Sequence, residues 1–295
     1  MIALLAAAAL LIAEPAGFLV ADGSNRYYAT GGASAARFTP LLTTADGKAL
    51  VAYRDGAFMQ FELVDDRLES TTIARIATLD LIGRADDGFI TYAQGLVRRY
   101  DLSGHPSSTP ASVLQAREML GVGDVTFVAS EQRFSAYGRN GRLQRGYYYD
   151  AASPVSLGGD RIAVIDRTAG IVRVYSTALD ELAQLRFTGR TIRAIAAGAD
   201  GTLAVVLDSG GLRCDPSAEI DLYRDPAGGL PSSRSGFAGR FIGPIALDAT
   251  MLYVTTGTCG STDDTQIGEI DRDGKTVGAV QNVGRPLAIL PFGPP

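Results

Sequence analysis

Several residue types are scarce in this chain of 295 residues. Tryptophan is absent, histidine occurs once, and Lys48 and Lys275 are the only lysines. The net charge of -5 argues against a broad nucleic-acid-binding surface, because such a surface requires an excess of positive charge. The single histidine, His105, is in the turn-like stretch "LSGHPSS", and there is no G-x-S-x-G nucleophile motif. We therefore expect a surface histidine and no Ser-His-Asp or Cys-His catalytic device.

The chain also lacks an apolar run long enough to cross a bilayer as a helix, which takes about 20 residues. The longest such run, Met1 to Ala13, resembles the hydrophobic region of a secretory signal, although no Lys or Arg precedes it. We predict a signal peptide over 1–13, one domain over 14–295, and export to the periplasm or the extracellular space. The alternative is that this run forms a buried first strand or helix.

Amphipathic helical patterns are almost missing, and "PASVLQAREML" is the one candidate. Short β-rich runs bounded by Gly and Asp recur instead, at a spacing of about forty residues. One apolar position repeats through the chain, and an apolar residue stands three positions before nearly every copy of it. The repeated position is occupied by Tyr28, Phe61, Tyr100, Tyr137, Tyr175, Tyr223 and Ile270.

Self-similarity at this period, with about four strands in each unit, is typical of a β-propeller. A single four-stranded blade cannot bury both of its faces, whereas a ring of blades buries them against one another. We predict an all-β, seven-bladed propeller of four-stranded antiparallel blades, with one blade closed by both termini. In that blade "GRPLAILPF" supplies the innermost strand, and the other three are "GFLVADG", "NRYYAT" and "AARF".

The stretch "GEIDRDGKT" (268–276) looks like part of a phosphate-binding or calcium-binding loop. Five residues separate Gly268 from Gly274, whereas a Walker A loop has four and then opens a helix. A calcium loop with Gly274 at its sixth place requires Glu at the twelfth, which is Val280 here. We therefore interpret the stretch as the turn between the third and fourth strands of a blade.

Two segments resemble the NHL-type propeller repeat. These are "GFLVADGSNRYYAT" and "IAVIDRTAGIVRVYS", in which the matching residues are Val20, Asp22, Asn25 and Arg26, and then Val164, Asp166, Val172 and Arg173. The resemblance implies a propeller used for binding or, in the related lactonase-like propellers, a metal-dependent hydrolase. Propellers of the WD40, sialidase and quinone-cofactor kinds fit less well, because their repeats rely on tryptophan.

In a propeller, the loops that join strand two to strand three share one face with the loops that join successive blades. Asp22, Asp166 and Asp208 follow the second strand of three blades. Their carboxylates could surround the channel mouth and bind a divalent cation such as calcium, which favours oxygen ligands. The alternative is that each carboxylate caps its own turn.

Two loops on that face, 208–219 and 255–266, are longer than their counterparts. They carry Asp215, Asp263 and Asp264 and also the two cysteines, Cys214 and Cys259. Long loops on a rigid scaffold often carry function, although these could equally be insertions without one. An even pair of cysteines in an exported chain predicts a disulfide between Cys214 and Cys259, the alternative being two free thiols.

These patterns lead to one main expectation about function. We expect an extracytoplasmic binding or interaction module without catalysis and without a cofactor, binding an unknown protein or small-molecule ligand. We also expect a monomer with no nucleic-acid partner and no integral membrane span. The alternative is a metal-dependent, lactonase-like hydrolase with its site at the channel mouth. Only three asparagines are present, so few side-chain amide oxygens are available as ligands for such a metal site.

Overall fold

The computed structural model describes residues 17–21, 26–29, 32–35, 39–43, 48–52, 57–64, 67–76, 80–208, 218–236, 240–248, 250–257, 265–281 and 288–292. Several predictions fall outside these ranges. They are the signal peptide over 1–13 and the roles of Asp22, Cys214, Asp215, Cys259, Asp263 and Asp264.

The described strands form five four-stranded antiparallel sheets and one eight-stranded sheet. The eight-stranded sheet consists of two antiparallel four-stranded halves joined by one parallel pair of inner strands, and counting each half as a unit gives blades 1 to 7. Blade 1 consists of β28 (Ala288–Phe292), β1 (Gly17–Ala21), β2 (Arg26–Ala29) and β3 (Gly32–Ala35). Blade 2 consists of β4 (Thr39–Thr43), β5 (Ala49–Ala52), β6 (Ala57–Val64) and β7 (Arg67–Arg75). Blade 3 consists of β8 (Leu81–Ala85), β9 (Gly88–Ala93), β10 (Leu96–Asp101) and β11 (Ala111–Ser112).

The remaining four blades follow the same order from the inner to the outer strand. Blade 4 consists of β12 (Glu118–Val122), β13 (Val125–Ala129), β14 (Phe134–Gly138) and β15 (Leu143–Tyr147). Blade 5 consists of β16 (Ala151–Ser156), β17 (Arg161–Asp166), β18 (Ile171–Ser176) and β19 (Glu181–Arg186). Blade 6 consists of β20 (Thr191–Ala197), β21 (Leu203–Asp208), β22 (Ala218–Tyr223) and β23 (Ser233–Gly236). Blade 7 consists of β24 (Arg240–Leu247), β25 (Met251–Gly257), β26 (Thr265–Asp271) and β27 (Thr276–Gln281).

The ring closes through both ends of the chain. Strand β28 pairs antiparallel with β1, with Leu290 opposite Leu19. The inner strands contact one another in cyclic order, from β28 through β4, β8, β12, β16, β20 and β24 back to β28. The all-β propeller is therefore confirmed, and the arrangement is consistent with seven blades. One detail differs: the fourth strand of blade 1 begins at Gly32, earlier than the predicted "AARF" (35–38), because Ala29 pairs with Gly32 in a tight hairpin. Residues 36–38 lie outside the described ranges.

The core lies between the blades, and the repeated apolar position explains it. An odd separation along a strand places two side chains on opposite faces of the sheet. Phe134 and Tyr137 of β14, three residues apart, are both buried, and so each faces a different neighbouring blade. Phe58 of blade 2 stacks on Phe89 of blade 3 with ring centroids 3.9 Å apart. Each such side chain contributes roughly 1.5–3 kcal/mol by leaving water.

The stretch "GEIDRDGKT" is the turn between β26 and β27, the third and fourth strands of blade 7. The Asp271 carboxylate accepts hydrogen bonds from the backbone N–H groups of Asp273 and Lys275, and Gly274 has φ 87°. The equivalent turn of blade 3 repeats this arrangement with Asp101. The interpretation of the stretch as a structural turn is therefore confirmed.

Helical structure is limited, in the segments that the structure covers, to one 3₁₀ turn at Pro226–Gly228. The candidate helix "PASVLQAREML" instead contributes β11 and the beginning of β12, which is the inner strand of blade 4. None of the described residues forms a helix long and apolar enough to cross a membrane.

Candidate functional site

Because the strands of each blade are antiparallel, their connections separate onto two faces of the ring. The loops from the second to the third strand and from one blade to the next lie on the upper face. The remaining turns lie on the lower face. Asp166 and Asp208 are the last residues of second strands, β17 and β21, and so belong to the upper face. His105 lies in a lower-face turn with 79% of its side chain exposed, which agrees with the expected surface position.

Asp166 is buried and has two structural partners. One carboxylate oxygen accepts the backbone N–H of Ala169 at 3.0 Å, so Asp166 caps its own turn. The other oxygen accepts the Nε–H of Arg173 at 2.8 Å. Arg173 also donates to Glu181, and its guanidinium lies 5.3 Å from the centre of the Tyr149 ring. Asp166 therefore caps its own turn, which was the alternative to cation binding for this residue.

Asp208 is held by an arginine as well. Arg193 donates from Nε and Nη2 to one oxygen of Asp208, at 2.9 and 2.5 Å. Arg193 sits at a bulge of the inner strand β20, between Ile192 and Ala194. Within the described ranges no group of three or more His, Cys, Asp or Glu side chains could hold a metal ion. The cation site at Asp22, Asp166 and Asp208 stays a prediction.

The inner strands place an arginine in the central channel. Arg84 of β8 donates to the backbone carbonyl of Pro154 at 3.1 Å, so it reaches past blade 4 to the inner strand of blade 5. The Arg84 side chain is exposed to solvent. Desolvation by the many protein atoms nearby lowers the pKa of the Arg84 guanidinium, and the charge of Glu118 offsets this only in part.

Glu118 of β12 forms the acidic part of the same channel region. Its carboxylate accepts the backbone N–H of Ser153 at 2.6 Å. Ser153 lies in a bulge of β16 with φ 50°, an uncommon conformation for a residue other than glycine. Burial raises the pKa of Glu118, and this outweighs the Ser153 hydrogen bond and the positive charges of Arg167 and Arg84. Sequence reasoning missed this group, because residues so far apart in the chain form no local motif.

A second feature of the upper face is a group of exposed side chains on three adjoining loops. We call loops 113–117, 130–133 and 148–150 the upper patch. Leu114 is 98% exposed and Tyr148 is 84% exposed. Arg133 lies 5.6 Å from the centre of the Tyr148 ring. The three loops are linked by Arg117, which binds Glu131 and lies 3.8 Å from Asp150.

Comparison with known proteins supports the fold. No protein-family model matches the sequence, and no curated protein is significantly similar to it. The structure does match solved propellers, including the WD40 domain of Pan2 from Neurospora crassa, with a TM-score of 0.53 and 13% identity. That match covers 87% of this chain and 79% of the other. The chain is a β-propeller.

Two further propellers give similar values. Hsv2 from Kluyveromyces lactis matches with a TM-score of 0.54 and 10% identity over 91% of this chain and 94% of its own. BamB from Moraxella catarrhalis matches with a TM-score of 0.50 and 12% identity over 92% and 89% of the two chains. At these identities the likeness concerns the fold alone, and the NHL-type resemblance is not confirmed.

Proposed function

We propose that this β-propeller is an exported interaction module that binds a partner protein through the upper patch. The observation that carries the proposal is the pair of almost fully exposed side chains, Leu114 and Tyr148, on loops tied together by Arg117. A tyrosine with neighbouring arginines and an apolar side chain is the composition that protein interfaces favour.

The local structure favours binding with little rearrangement. The hydroxyl group of Tyr92 donates to the backbone carbonyl of Leu114 at 3.0 Å, which anchors the loop that carries this exposed leucine. Arg133 packs over the Tyr148 ring from the neighbouring loop. Loops that are ordered before binding lose less conformational entropy when a partner docks. Exposed loops on a rigid scaffold are also where binding function is commonly found.

The similar structures support an interaction role in a general way. They include a WD40 domain, and the shared propeller fold is compatible with a role in protein interaction. The export part of the proposal rests on the sequence alone. The lactonase-like alternative would require Asp166 and Asp208 to exchange their arginine partners for a cation. No observation in the described residues favours that exchange, and we propose no hydrolase activity.

Site-specific photo-crosslinking in the producing cell tests the proposal. A photoreactive phenylalanine analogue in place of Tyr148 should give a discrete crosslinked species, and Leu114→Glu in the same protein should remove it. The control places the analogue at Val277, which is 49% exposed on the outer strand of blade 7. If position 148 gives no more crosslinking than position 277, or if Leu114→Glu has no effect, the upper patch is not the binding surface.

A further inference from the structure

A cleft lies between the outer strands of blades 5 and 6, separate from the upper patch. It encloses about 310 Å³, and its lining includes Arg186, Arg190, Arg234, Phe187, Tyr223 and Leu230. Phe187 meets Tyr223 edge to face with ring centroids 6.5 Å apart, which forms an aromatic wall. The cleft therefore combines apolar surface with three guanidinium groups.

The cleft exists because of an insertion on the lower face. Residues 224–232 join β22 to β23, whereas turns such as 139–142 and 272–275 make the same connection in other blades with fewer residues. The 3₁₀ turn Pro226–Gly228 of this insertion contacts β19 of blade 5. Leu230, farther along the insertion, is 80% exposed at the cleft. The insertion also lengthens the interval between Tyr223 and Ile270.

Charge in the cleft is unbalanced. Asp221 is 1% exposed, and Arg234 Nε lies 3.0 Å from its Oδ1 atom. Arg190 forms an ion pair with Glu219. Arg186 donates only to the neutral side chain of Gln184, at 2.6 Å. Three guanidinium groups therefore face two carboxylates, and Arg186 has no acidic partner among the described residues.

Two of these arginines keep donors available. Arg234 contacts Asp221 through Nε, and 60% of its side chain is exposed. Both of its Nη groups lack a protein acceptor in the part of the chain that the structure covers. Arg186 is exposed and uses only Nη2. Guanidinium groups with open N–H pairs bind carboxylates in a bidentate manner.

We propose that this cleft binds the C-terminal residue of a peptide chain, with its carboxylate on Arg186 and Arg234 and its apolar side chain against Phe187 and Leu230. The volume is at the small end of ligand pockets, which are about 300–1,000 Å³, and so suits one or two residues. The buried Asp221 carboxylate holds Arg234 in place.

Calorimetric titration of the full-length protein tests this site. The probe is N-acetyl-phenylalanine, and the matched control is its carboxamide, which lacks the negative charge. The carboxylate should bind, and the carboxamide should bind about tenfold or more weakly, as expected when charge-assisted hydrogen bonds are lost. A short peptide ending in phenylalanine should bind at least as tightly as the probe, whereas a site for a free acid would exclude the peptide.

Substitutions test whether the probe binds in this cleft. Arg186→Gln should weaken binding of the probe about tenfold or more, and this change leaves the Arg234–Asp221 pair intact, so folding is preserved. Arg224→Gln is the control, because Arg224 belongs to the same insertion but pairs with Asp273 of blade 7. No binding of the acid at millimolar concentration, equal binding of acid and amide, exclusion of the peptide, or unchanged affinity in Arg186→Gln would each overturn the proposal.

Discussion

Arg99 offers the sharpest test of how adjacent blades are held together. It is a central residue of β10 in blade 3 and is 1% exposed. Its guanidinium donates to Asp86 and Asp87 of its own blade at 2.5 Å. It also donates to the backbone carbonyls of Gly123, at 2.7 Å, and Val125, at 3.4 Å, in blade 4. One side chain thus satisfies acceptors on both sides of the boundary between the blades.

The expected loss in the free energy of unfolding follows from the acceptor groups that Arg99→Met would leave without a donor. The two carboxylates are 43% and 38% exposed and would return to water, so the loss of the ion pairs is worth only about 1 kcal/mol. The two blade 4 carbonyls would lose a buried donor, which costs about 1 kcal/mol each. We therefore expect a loss of about 3 kcal/mol in the free energy of unfolding, or about 6 °C in Tm for a domain of this size.

Thermal unfolding followed by circular dichroism measures this shift. The control is Arg98→Met, because Arg98 is the neighbouring residue on the opposite face of β10, is half-buried and has no acidic partner in the described residues. Arg99→Lys should fall between Arg99→Met and the parent, since an ammonium group keeps the charge but reaches fewer of the acceptors. If Arg99→Met lowers Tm no more than Arg98→Met does, the account of the blade boundary is wrong.

Three further predictions concern the channel, the cysteines and the leader. Burial raises the pKa of the Glu118 carboxyl group, so the folded protein holds the carboxyl proton more tightly than the unfolded chain does. The free energy of unfolding therefore falls as the pH rises from the ordinary glutamate pKa through the raised one. Glu118→Gln should therefore melt higher than the parent above that interval, with no advantage at pH below it, as measured by Tm against pH. Thiol titration of the unfolded, non-reduced protein should find no free thiol if Cys214 and Cys259 are bridged, and reduction should cost up to about 4 kcal/mol of stability. Intact-mass measurement should show exported protein that begins near Glu14, and an exported form that retains Met1 would contradict the leader.

The fold could be predicted because its signals are local and repeated. Phe134 and Tyr137 occupy the same places in their strand as Val172 and Tyr175 do one blade later, and all four are buried. Burial of both sheet faces requires an apolar side chain at each of these places in every blade, so the requirement appears in the sequence as a period. The closing pair of strands followed from the length that remained after the other blades were counted.

The site could be predicted only in part, since side chains from distant segments build it. Asp166 was recognised from its position after a strand, but its ion pair with Arg173 depends on the register of β17 and β18. The contact of Arg84 with Pro154 joins residues in different blades across the channel. Such a contact depends on the diameter of the ring and on a bulge in β16, and neither leaves a pattern along the chain.

The pairing of β28 with β1 means that one edge of β1 stays unpaired until the C-terminal part of the chain has been synthesised. Synthesis proceeds at about 5–20 residues per second. Some 270 residues separate these two strands, so β1 waits roughly fifteen seconds to a minute for the strand that covers its open edge. During that interval the N–H and C=O groups on this edge of "GFLVA" can pair with any other extended chain. Among the described strands, β1 is thus synthesised first and protected last, and aggregation during production should depend on this edge.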